Sequence, residues 1–109
     1  MGDKKAKVAP KPHAFLATVR RLAAANAVRF TYHAESERME ERDFDVDDVM
    51  DTLAKGELKG EIRAGRREGE WTGKLVHQPF GTSRWMGVVT VVVRETYLQV
   101  ITTEWEDRR

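Results

Sequence analysis

The sequence predicts an α+β fold, with N-terminal helices packed on one face of a curved four-stranded antiparallel sheet. Apolar residues recur at helical spacing in the first half, as Phe15, Leu16, Val19, Leu22 and Ala23, then as Val46, Val49, Met50 and Leu53. The second half changes to β-branched and aromatic runs separated by turn residues, of which WMGVVTVVV at 85–93 is the most apolar. Helices followed by a strand meander fit a two-layer arrangement around one core, and 109 residues suffice for one such core but hardly for two.

Residues 1–12 (MGDKKAKVAPKP) carry four lysines and two prolines with almost nothing to bury, which predicts a disordered basic tail ahead of a single domain at 13–109. An amphipathic helix is predicted from about 13 to 25, with Arg20 and Arg21 on its outer side and Asn26 as its stop. Val28 to Tyr32 should be extended or a short strand. Residues 33–43 are rich in helix formers and predict a second helix, packed through Ala34, Met39 and alkyl stems. A third helix should start at Asp45 as N-cap, with Asp48 as the capping-box acid and Phe44 and Val49 as a hydrophobic staple, and should close at Gly56. Strands are predicted near 57–64, 70–78, 84–94 and 97–104, with turns at 65–69 and 79–83 and a tight hairpin at Glu95-Thr96.

Composition excludes several classes of function. With no cysteine there is no disulfide framework, no thiolate nucleophile and no sulfur-ligated zinc. The longest apolar run is far too short to span a bilayer, and the N-terminal lysines lack the apolar segment of a secretion signal, so a soluble, cytoplasmic protein with no membrane partner is expected. No P-loop, GxGxxG, HExxH or GxSxG is present, and the acid-rich stretch Glu40 to Asp51 lacks the glycine and ligand order of a calcium loop, so no cofactor and no metal is expected. The formal charge of +1 hides an uneven distribution: seven Lys/Arg against one acid in 1–30, four against eleven in 31–61, and eight against six in 62–109. Such segregation suits a polyanionic or basic partner, or simply a well-solvated surface.

The run VRFTYHAESERMEERDFDVDDVMDTLAKGEL contains an HA-x3-RM-x2-R helix, made by His33, Ala34, Arg38, Met39 and Arg42, followed by Val46, Val49, Leu53 and Gly56. It resembles a widespread bacterial domain family of unknown function with that signature. The opening helix and VRFT are also similar to the MqsR toxins, and both families share with RelE-like toxins a layout of helices followed by a curved antiparallel sheet. The resemblance implies a RelE-like layout over residues 13–104. It also implies a toxin of a toxin–antitoxin pair, acting as a metal-independent endoribonuclease on mRNA, with RNA or the ribosome and a cognate antitoxin as partners. The last strand departs from the family pattern, reading ITTEWED with Glu104 and Trp105 where a tyrosine often stands. The alternative reading is a non-catalytic module of the same fold that binds RNA or protein. The oligomeric state stays open.

Metal-free RNA cleavage needs a base for the 2′-hydroxyl, an acid for the leaving oxygen and cations around the phosphate. Arg38 and Arg42, four apart on one helix face, could grip phosphate, or could pair with Glu35 and Glu41 in a structural network. His33 and His77 are the neutral-pH acid–base candidates, or else a helix-start residue and a strand-end residue. The RelE-like resemblance carries phosphate-gripping roles onto Lys74 and Arg84, beside the 79–83 turn. The resulting expectation is a catalytic set of Lys74, His77, Arg84 and Arg38, with Arg42, His33, Gln78 and Trp85 binding RNA. Trp71, Trp85, Tyr97 and Trp105 could stack on bases or fill the core.

Overall fold

A computed structural model describes residues 8–35, 46–78 and 83–106 of the chain. The first helix, α1, runs Pro12–Ala24 and opens with proline at its first turn, where a missing N–H costs nothing. It ends in a Schellman motif: the Asn26 amide donates to the Ala23 carbonyl and the Ala27 amide to that of Leu22. Asn26 adopts φ 61°, a left-handed value that asparagine tolerates better than most residues, and so stops the helix where expected. The turn delivers the chain to a short strand, β1 (Val28–Phe30). Residues 32–35 are again helical, and the rest of the predicted 33–43 helix lies outside the described residues, as do Phe44 and Asp45 of the predicted cap.

The helix α2 covers Val46–Lys55, with Asp47 and Asp48 in its first turn, where acids meet the positive end of the dipole. Its end is held by α1. Arg20 donates from Nε to the Ala54 carbonyl at 2.8 Å and from Nη2 to the Gly56 carbonyl at 2.7 Å, so its cation caps the negative end of α2. The sequence placed Arg20 on the outer side of α1; the structure corrects this, since a neighbouring helix end lies along that side. Gly56 closes α2 because of space. A Cβ there would lie 2.5 Å from the Thr52 carbonyl and 3.0 Å from that of Val76.

Four long strands follow, β2 (Glu57–Ala64), β3 (Glu70–His77), β4 (Met86–Val93) and β5 (Tyr97–Trp105). Their limits agree closely with the sequence, but the sheet has five strands and is mixed, in the order β1-β5-β4-β3-β2. The four-stranded, wholly antiparallel expectation is thereby corrected. β1 joins the edge parallel to β5, with Val28 opposite Leu98 and Phe30 opposite Val100. Three residues carry no signal for a partner so distant in sequence, whereas hairpin-linked strands announce theirs by their turns.

Register divides the sheet into two faces. Leu75, Val88 and Thr103 stand opposite one another, as do Trp71, Val92 and Leu98, and these share the face on which α1 and α2 pack. Phe15, Val19, Leu22, Val49 and Leu53 meet Leu75, Val88, Leu98 and Val100 there in one core. Gly73 leaves the space that the Phe15 ring fills, since a Cβ would lie 2.8 Å from that ring. Among the described residues no helix is long and apolar enough to cross a membrane.

Candidate functional site

The expected catalytic set was placed around the end of the sheet where β3 finishes and β4 begins. His77 ends β3 on the helix-facing side, opposite Met86, which in turn faces Trp105. Its Nε2 lies 3.0 Å from Oδ2 of Asp51 on α2, in a partly buried pair. Arg84 precedes β4, and its guanidinium carbon stands 4.2 Å above the Trp105 ring. This close stack is a cation–π contact that also covers the indole. Trp85, next in sequence, is 45% exposed, which is unusual for so large an apolar side chain. Gln78 is exposed just beyond His77. His77, Gln78, Arg84 and Trp85 are thus brought to one end of the sheet.

Lys74 is not with them. It lies three positions before His77, and strand side chains alternate, so the two point to opposite faces of β3. On its own face Lys74 bridges Glu104 at 2.9 Å and Glu106, while Lys59 of β2 reaches Glu106 at 2.8 Å. Gly87 makes the crossing possible, because a Cβ there would lie 2.7 Å from both Glu106 Oε2 and Lys74 Cε. Burial acts to lower the Lys74 pKa, but the hydrogen bonds from Glu106 and Glu104 outweigh it, and the ammonium is held above its ordinary value. Burial likewise raises Glu106, yet the bonds from Lys59 and Lys74 prevail and bring its carboxyl down to about 2. Two lysines and two glutamates cancel, so this cluster offers no net positive charge to a phosphate.

The remaining candidates divide in the same way. His33 is exposed on the helical residues that follow β1, while Arg38 and Arg42 lie outside the described residues. Tyr97 is covered by Arg29, whose guanidinium carbon is 3.9 Å from the ring centre, and Trp71 and Trp105 pack against the core. Sequence reasoning missed Asp51, Lys59 and Glu106. The spacing of Glu104 and Glu106 put both on one strand face, but which residue they would meet depended on a register that no local pattern gives. Among the described residues no group of three His, Asp or Glu side chains could hold a metal ion.

Comparison with protein families, with curated proteins and with solved structures finds no match for this chain.

Proposed function

We propose that the chain is a non-catalytic RNA-binding module that takes unpaired bases across the end of the sheet formed by Arg84, Trp85 and Trp105. The observation that carries this reading is the Arg84–Trp105 stack, with the exposed Trp85 indole at the same end of the sheet. Flat aromatic and guanidinium faces accept any base, and such stacking contributes about 1–3 kcal/mol per base. Gln78 adds a donor and an acceptor at the same end. The resemblance to RNA-acting families supports RNA as the ligand. The opposed placement of Lys74 and His77, and the two carboxylates on Lys74, favour binding over cleavage. Fluorescence anisotropy with a labelled single-stranded RNA 12-mer tests it. Affinity should fall as salt rises, and Trp85→Ala should weaken binding roughly tenfold. No binding at low salt, or an unchanged Trp85→Ala variant, overturns it.

A second reading rests on the His77–Asp51 pair. A carboxylate that orients an imidazole is the usual support for a general base, and Arg84 stands at the same end of the sheet. In this reading the chain is the RelE-like endoribonuclease toxin of a toxin–antitoxin pair, neutralised by an antitoxin protein. Incubation of the same RNA and of ribosome-bound mRNA should then give cleavage that His77→Ala abolishes. Intact RNA under both conditions removes the reading.

A further inference from the structure

At the other end of the sheet, α1 and the turns β2–β3 and β4–β5 enclose a cavity of about 600 Å³. Small-molecule sites commonly occupy about 300–1,000 Å³. Its floor is apolar and partly aromatic, made by Phe15, Trp71 and Val92, which all belong to or pack against the core. Its rim is charged, with Arg94 on one side and Glu68 and Glu95 nearby.

The β4–β5 turn is built against local preference. The Thr96 amide donates to the Val93 carbonyl at 2.8 Å across a two-residue reversal, and Arg94 and Glu95 take φ values of 52° and 59°. Asn-Gly is the usual filling of such a turn, because a longer side chain costs about 1 kcal/mol or more in this region. The sequence reading placed the reversal one residue later, at Glu95-Thr96, between strands at 84–94 and 97–104. Arg94 is further fixed by Gly69, whose own φ is 84°. The Arg94 amide donates to the Gly69 carbonyl at 2.9 Å, and a Cβ on Gly69 would lie 3.1 Å from Arg94 Cγ. The guanidinium so placed has no hydrogen bond or ion pair among the described residues. Among the described residues nothing in the fold draws an ion pair or hydrogen bond from the side chain of this arginine on its left-handed turn.

We infer that this cavity binds a small aromatic monocarboxylate, its ring against Phe15, Trp71 and Val92 and its carboxylate on Arg94. A planar guanidinium matches a carboxylate through two parallel hydrogen bonds. The ring faces of Trp71 and Phe15 suit a flat apolar body. Glu68 and Glu95 line the rim with Arg94, and Arg21 reaches the Glu95 carbonyl at 3.4 Å, so the cations and acids of the rim balance and favour a ligand with a single negative charge over one with two. Phosphate esters and nucleic acid backbone are therefore poor ligands here. This site is separate from the proposed RNA surface, which lies at the opposite end of the strands.

Isothermal titration of the full chain with indole-3-propionate, 3-phenylpropionate and 2-naphthoate tests the inference, each compared with its neutral carboxamide. At least one acid should bind at one site, roughly tenfold or more tighter than its amide, as expected for a charge-assisted pair. Arg94→Gln should remove that preference, so that acid and amide bind alike. The double variant Arg94→Asn/Glu95→Gly should melt higher than the parent and lose the preference too, which separates loss of the site from loss of the fold. The inference fails if none of the three acids binds saturably up to 1 mM, or if Arg94→Gln keeps the preference for acid over amide.

Discussion

The two ends of the sheet treat their cations in opposite ways. Where β3 finishes, His77 faces Asp51 and Arg84 lies on an indole, while on the opposite face of the sheet Lys74 bridges two glutamates. Where β4 turns into β5, Arg94 is held on a strained backbone above an open cavity and makes no ion pair among the described residues. The first end has the residue types that chemistry would choose; the second has a cation whose interactions are still to be made. Availability, which depends on neighbours, separates a binding group from a structural one more sharply than residue type does.

Four measurements would break or sharpen that contrast. The largest effect should come from Lys74→Met, which leaves Glu106, 12% exposed, with Lys59 as its cation and Glu104 beside it. Breaking a partly buried network costs less than the roughly 3–5 kcal/mol of a fully buried pair, about 2–3 kcal/mol, readable by urea denaturation, and a loss below about 1 kcal/mol would mean that solvent already screens it. Acid comes next. Because the Glu106 pKa is depressed from 4.5 to about 2, its contribution is complete above pH 4.5 and disappears as pH falls towards 2. That loss should be about 1–3 kcal/mol, and melts at several pH values should show a shallower acid slope for Glu106→Gln. If the two slopes coincide, Glu106 is not the linked group.

At the other end the sign reverses. Arg94→Asn/Glu95→Gly should gain about 1 kcal/mol by relieving the left-handed turn, and a lower melting temperature would show that the turn is not strained. The smallest effect belongs to Arg94→Gln, within about 0.5 kcal/mol of the parent, since no partner is left behind among the described residues. A larger loss would reveal a structural role and erase the difference between the two ends.

Much of the fold was legible because its signals are local. Turn residues at 65–69 bounded β2 and β3, Asn26 stopped α1, and Val49 and Leu53 marked the buried side of α2. The candidate site was less legible. Alternation along β3 already separates Lys74 from His77, so their placement on different faces could have been read from spacing alone. The partners of Lys74 could not, because Glu104 and Glu106 meet it only through the β3–β4–β5 register. The left-handed turn at Arg94-Glu95 contradicts the preference of its own residues, and no propensity argument would find it.

The parallel pairing of β1 with β5 also fixes an order of events. Val28 has nothing to pair with until Leu98 is available, and the Ala27 carbonyl waits for the Leu98 amide. During synthesis the β2–β3 and β3–β4 hairpins can close as soon as they emerge, but β1 must stay unpaired until the last strand arrives. Ordering of β1 therefore reports the arrival of β5. A protein truncated after Val93 should show fast amide exchange at residues 28–30, while the β3 amides that face β2 remain protected.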